Sequence, residues 1–275
     1  MLLVREKLAL TLAICASLLA CEPRLVVGEK VCPASDAAVP LPTDPVLVGW
    51  HTGFENDFCD FEQAGGYCVE DPQASNRIVT SPPPHGGKFA AAFTVNDSNG
   101  AGYQSRCVRQ GALPTAAYYG AWYYFPTLVV NPRSWNLFHF RGGDAANVRS
   151  DLQGEDQAGS DVHSLWDVSV ENDGNGGLRA FVFEFSSMTT HTPTNAPPFP
   201  VGQWVHVQFY FKRAANAKGE VALYQDGKQL LDLTGVVSDD SNWGRWYVGD
   251  YSKGLQPPDS TIFVDDVSID DSLGG

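Results

Sequence analysis

Five alternating positions late in the chain, Trp204, His206, Gln208, Tyr210 and Lys212, combine rings, an imidazole, an amide and a cation. The residues between them, Val205, Val207, Phe209 and Phe211, are all apolar. A period of two is that of a strand, so the apolar set belongs to a core and the other set to one outward face. Rings stack on the apolar faces of sugars, while amides and imidazoles pair with hydroxyls, so this face suits a sugar groove. It suits equally an ordinary sheet face held by cross-strand pairs. Asp167 and Glu171 also share a strand face, but four residues of strand separate them by about 13 Å, too far for either glycosidase geometry. No Gly-x-Ser-x-Gly, His-Glu-x-x-His or phosphate-binding loop occurs, and nothing calls for an organic cofactor.

The elements that must position such residues are short and numerous. Runs rich in Val, Phe, Tyr and Trp fall at 88–95, 118–125, 135–141, 165–171, 178–185, 204–212, 221–225, 245–251 and 261–269. Turn signals separate them, among them Asn172-Asp173-Gly174-Asn175-Gly176-Gly177 and Gln225-Asp226-Gly227. No stretch sustains a 3.6-residue apolar period, so helices are expected to be few and a parallel βαβ design is excluded. The expectation is an all-β, two-sheet antiparallel jelly-roll sandwich over residues 47–275. Two long connections, 142–163 and 186–200, flank its strands; the first is rich in Gly and Asp and has no role that the sequence assigns.

The chain opens with Arg5 and Lys7, then an apolar run from Leu8 to Ala20 that is too short to span a bilayer. The run ends Leu18-Leu19-Ala20-Cys21, which resembles a bacterial lipobox. That resemblance implies a signal peptide at 1–20, lipidation of Cys21 and a Pro-rich tether over 21–46. The membrane contact is then the acyl anchor alone, at the cell envelope, either the outer membrane or the cell surface. The formal charge is −14, and −15 once Arg5, Glu6 and Lys7 leave with the leader, which excludes the basic footprint of a nucleic-acid partner. Cys32, Cys59, Cys68 and Cys107 remain, an even number that fits an oxidising compartment and matches no zinc spacing. Of the three pairings, Cys59–Cys68 with Cys32–Cys107 is favoured here. Oligomeric state is not set by the sequence.

From about residue 86 to 269 the order of features resembles the concanavalin A-like lectin and glucanase jelly roll. Within it, the nearest likeness is to polysaccharide lyases of the alginate lyase and heparin lyase I type. The residues that carry it are Gly87-Lys88-Phe89-Ala90, Tyr103-Gln104-Ser105-Arg106, Tyr118 to Pro126, Leu137-Phe138-His139, Gly202-Gln203-Trp204, Gly219 with Asp226-Gly227, and Arg245 to Tyr251. The resemblance implies β-elimination next to a uronate carboxylate, with Arg106 neutralising the carboxylate, His139 as base or carboxylate partner, and Tyr251 as acid or base. It implies a polysaccharide-binding surface of Trp135, Arg141, His206, Gln208, Tyr210 and Tyr247.

Two positions depart from the pattern: Leu137 stands where the family has Gln, and Tyr247 where it has Lys. Arg141, on the face of His139, offers a bidentate grip in place of the Gln; Asn136 can serve only if a bulge turns it inward. A non-catalytic glycan-binding protein and a structural envelope lipoprotein remain alternatives. The glucanase reading lacks its acids, since Glu55-Asn56-Asp57 with Glu62 has the wrong spacing. Asp265 falls among the core-side residues Phe263, Val267 and Ile269. By resemblance to carbohydrate-binding sandwiches it would hold a structural Ca²⁺ together with Glu62.

Overall fold

A computed structural model describes residue 32 and residues 45–144 and 162–274. The leader, the lipidation position Cys21, most of the tether and the interior of the acidic connection lie outside the described residues. In chain order the elements are β1 (Trp50–Thr52), α1 (Cys59–Gln63), β2 (Tyr67–Glu70), β3 (Ala74–Val79), β4 (Ala90–Asn96) and β5 (Tyr103–Gly111). Next come β6 (Ala116–Tyr124), β7 (Trp135–Gly143), β8 (His163–Asn172), β9 (Leu178–Glu184) and β10 (Thr189–His191). The chain ends with β11 (Trp204–Lys212), β12 (Gly219–Gln225), β13 (Lys228–Val236), β14 (Trp243–Ser252) and β15 (Asp259–Asp270).

Two antiparallel sheets form a sandwich. The eight-stranded sheet runs β13-β12-β11-β6-β15-β4-β3, with β1 added beside β15. The seven-stranded sheet runs β10-β9-β8-β7-β14-β5-β2. All nine strands read from apolar and aromatic runs between turn signals are present within a residue or two. The short or polar ones were silent: β13, for instance, is an edge strand with mostly exposed side chains and no apolar period. The core forms where the apolar phases of the sheets meet. Tyr119 of β6 packs edge-on against Phe140 of β7 and Trp246 of β14, each with ring centroids 5.0 Å apart, and Phe209 of β11 meets Phe140 at 5.2 Å.

Both disulfides differ from the favoured pairing: they are Cys68–Cys107 and Cys32–Cys59. The reason is register. β2 pairs with β5 so that Cys68 lies directly opposite Cys107, with their Cα atoms 4.0 Å apart. Cys59, at the start of α1, is thereby left to take the tether residue Cys32. A short sequence loop was a poor guide because the ladder, not loop length, brings thiols together. Replacing Cys68 and Cys107 together by Ser is expected to remove about 2–5 kcal/mol of stability, read as a lower guanidinium midpoint. Unreduced peptide maps should show the 68–107 link and none between 59 and 68.

Candidate active site

The outer face of the seven-stranded sheet gathers most of the polar residues that resemblance singled out. On β5, Arg106 is only 3% exposed, and its guanidinium lies over the rings of Tyr247 and Tyr251 of β14, 5.7 and 5.2 Å from their centroids. Its Nη2 donates to Asn136 Oδ1 of β7 at 2.6 Å. Asn136 reaches this face because the β7–β8 ladder slips between Asn136 and Phe138. Leu137 is the extra residue, and its side chain is buried in the core cluster. A bulge of this kind reverses the in–out phase of the strand. The amide on this face therefore comes from Asn136 and not from position 137. The Nδ2 of Asn136 makes two long contacts, 3.3 Å each, to Phe138 O and Ser169 Oγ.

Beyond the bulge the phase returns, so His139 and Arg141 face out while Phe138 and Phe140 are buried. His139 Nδ1 bonds Asp167 Oδ1 of β8, directly opposite in the ladder, and its Nε2 lies 3.3 Å from Ser164 Oγ. The ring meets Tyr247 at 5.4 Å and Phe185 at 5.7 Å between centroids, both edge-on. Arg245 of β14 stands opposite Arg141 and donates to Gln110 Oε1 at 3.2 Å and Tyr247 Oη at 3.3 Å. It is fully buried under Tyr67 and Trp243, with its guanidinium 5.8 and 5.1 Å from their ring centroids. Tyr251, by contrast, is 39% exposed, the most accessible of these groups. Ser164 and Phe185 also line a cavity of about 300 Å³, together with Leu165, Trp166 and Asp239.

On one face, then, lie a cation backed by an amide, an imidazole hydrogen-bonded to an acid, and an exposed phenol. A family model described as polysaccharide lyase matches residues 56–268. The chain belongs to the polysaccharide lyase family. Its fold is similar to that of endo-beta-1,4-glucuronan lyase from the fungus Trichoderma reesei, with a TM-score of 0.60 and 16% identity over 82% of this chain and 96% of that one. It is also similar to the marine alginate lyase from Aplysia kurodai, with a TM-score of 0.51 and 12% identity over 82% and 99% of the two chains. At these identities the likeness is one of fold. No curated protein matches the sequence.

Several residues expected at the site of this lyase lie elsewhere. Trp135 is fully buried between the sheets, where its Nε1 donates to Ser260 Oγ at 3.1 Å. His206, Gln208 and Tyr210 alternate outward as expected, but from β11 in the eight-stranded sheet, on the opposite side of the molecule. There His206 stacks on Trp122 at 4.8 Å, beside a cavity of about 330 Å³ that His51, His85 and Asp266 also line. Strand period fixes which residues share a face and is silent on which sheet that face belongs to. Asp167 and Ser164 are the residues the sequence did not offer for this role: Asp167 was legible only as half of a rejected acid pair.

The two residues expected to hold a calcium ion lie in different surroundings. Glu62 is exposed on α1. The buried Asp265 accepts backbone N–H groups from Gly86 at 3.1 Å and Asp266 at 2.8 Å. Among the described residues no group of three or more His, Cys, Asp or Glu converges as a metal set.

Asp250, fully buried next to Arg106, has its pKa pushed up to about 7 by burial, against the pull of the Arg106 charge. Asp265 is likewise raised to about 7, first by burial. The native state keeps these protons to near neutrality, whereas the unfolded chain releases them near 4. Between those limits the native state binds more protons, so stability falls as pH rises and levels off above about 7. Denaturant titrations at about pH 5 and about pH 8 should show this loss. Asp250→Asn is expected to remove its share of the slope and leave that of Asp265.

Proposed function

We propose that the chain cleaves a 1,4-linked uronate polysaccharide by β-elimination at the outer face of the seven-stranded sheet. The observation that carries this reading is the Arg106–Asn136 pair set beside His139 and Tyr251. Elimination needs the C5 proton of a uronate to become acidic, which happens when its carboxylate charge is neutralised. The Arg106 guanidinium and the Asn136 amide supply that neutralisation, and they act most strongly once negative charge spreads from C5 into the carboxylate. His139 takes the C5 proton. Tyr251, accessible above the guanidinium, gives a proton to the departing glycosidic oxygen. The C5–H and C4–O bonds break, a C4–C5 double bond forms, and no water is consumed. The neighbouring folds support the substrate class, since their names are those of enzymes acting on glucuronan and on alginate. The overall charge of −14 opposes long-range capture of such an anion. The local cations Arg106, Arg141 and Arg245 on this face answer that repulsion.

The same reading keeps the enzyme at the cell envelope through Cys21. Labelling of the expressed protein by a fatty-acid analogue, lost in Cys21→Ala, tests that part by itself.

Incubation with glucuronan, alginate and other uronate polymers should produce rising ultraviolet absorbance from the unsaturated uronate. His139→Ala and Tyr251→Phe should abolish turnover while polymer still binds. Asn136→Ala should lower kcat/KM by about 10²-fold. Leu137→Gln should gain nothing, because its side chain points into the core. A flat trace over the whole panel, with polymer still retained, would make the protein a glycan binder and end the lyase reading.

A further inference from the structure

His139 is fixed at both ring nitrogens by one strand. Asp167 sits across the ladder and meets Nδ1, and Ser164, three positions earlier on β8, meets Nε2 at 3.3 Å. Two residues three apart in a strand ordinarily point to opposite faces. They share a face here because the β7–β8 ladder slips a second time, between Phe140 and Arg141, and the extra residue Leu165 is buried in the core. The imidazole and the Asp167 carboxylate are both largely enclosed, with side-chain exposures of 11% and 16%. Tyr247 of β14 and Phe185 close the ring's edges, and Arg141 and Asn136 are its polar neighbours along β7. Among these groups Asp167 is the carboxylate in contact with the ring.

We propose that Asp167 is a positioning residue for the reaction: its carboxylate accepts the Nδ1–H of His139, so that Nε2 keeps the lone pair and receives the C5 proton. The inference rests on the lyase reading of His139. A neutral imidazole carries one N–H, and its tautomer is set by the hydrogen bond the other nitrogen makes. With the proton held at Nδ1, Nε2 is an acceptor, and Ser164 donates to it in the absence of substrate. As the C5–H bond breaks, the electron pair enters the forming double bond and the proton passes to Nε2. The resulting imidazolium is then compensated by Asp167 at hydrogen-bond distance. The ring returns its proton to solvent after the product leaves.

The test compares wild type, Asp167→Asn and Asp167→Glu by two independent readouts. In long-range proton–nitrogen spectra of protein carrying labelled histidine, His139 should show the Nδ1–H tautomer. Asp167→Asn should shift it toward a mixture or the other form, and Asp167→Glu should restore it. In the lyase assay, Asp167→Asn should lower kcat by about a hundredfold with KM nearly unchanged. The acidic limb of its pH profile should move to lower pH. A residue that merely braced the strand would instead lower the melting temperature and leave tautomer and pH limb in place, which would overturn the proposal. An unchanged tautomer overturns it whether or not the wild type cleaves uronates. A shifted tautomer in a protein that cleaves none upholds the positioning of His139 and refutes the lyase reading.

Discussion

A guanidinium withdrawn from water is tolerated only when its charge and its N–H groups are answered. Arg106 meets that demand from three directions. The Asn136 oxygen accepts one N–H, and the Tyr247 and Tyr251 rings offer their faces. Much of the sheet's local irregularity follows from this need. Asn136 can reach the guanidinium because Leu137 steps into the core, and the strand opposite departs from regular pairing over the same stretch, between Val248 and Tyr251. Gly249 lies within that stretch at φ 140°, where a Cβ would stand 2.5 Å from Ser105 O. A side chain there would push β14 off the strand that carries Arg106.

The same device operates twice on β7 and β8. Each slip sends a leucine inward, Leu137 and then Leu165, and brings a polar neighbour outward, Asn136 and then Ser164. Core and site are therefore built by one sequence phase. The apolar residue that breaks the alternation is also what turns the reactive face on. A perfectly alternating strand would present a His with neither its amide neighbour nor its hydroxyl.

This explains what the sequence made legible. β11 carries a strong period of two, and its range and inward residues could be read directly, while β7 and β14 were legible as runs of apolar and aromatic residues. Resemblance placed Arg106, His139, Arg141, Tyr247 and Tyr251 on one surface, and there they lie. Three things could not be read. Bulges leave no mark in composition, so Leu137 looked like a missing group until Asn136 was seen to take its place. Sheet membership is a long-range property, so the outward stripe of β11 was assigned to the wrong side. Thiol pairing depends on which strands are neighbours, and β2, four residues long, gave no periodic signal.

The bridge between Cys68 and Cys107 stands one residue from Arg106, and it clamps an edge strand held by only four ladder pairs. Where thiols stay reduced, that edge depends on those few backbone bonds alone. Oxidation thus acts as a quality check on the strand that bears the site's central cation. A chain with this bridge reduced has a looser version of that face.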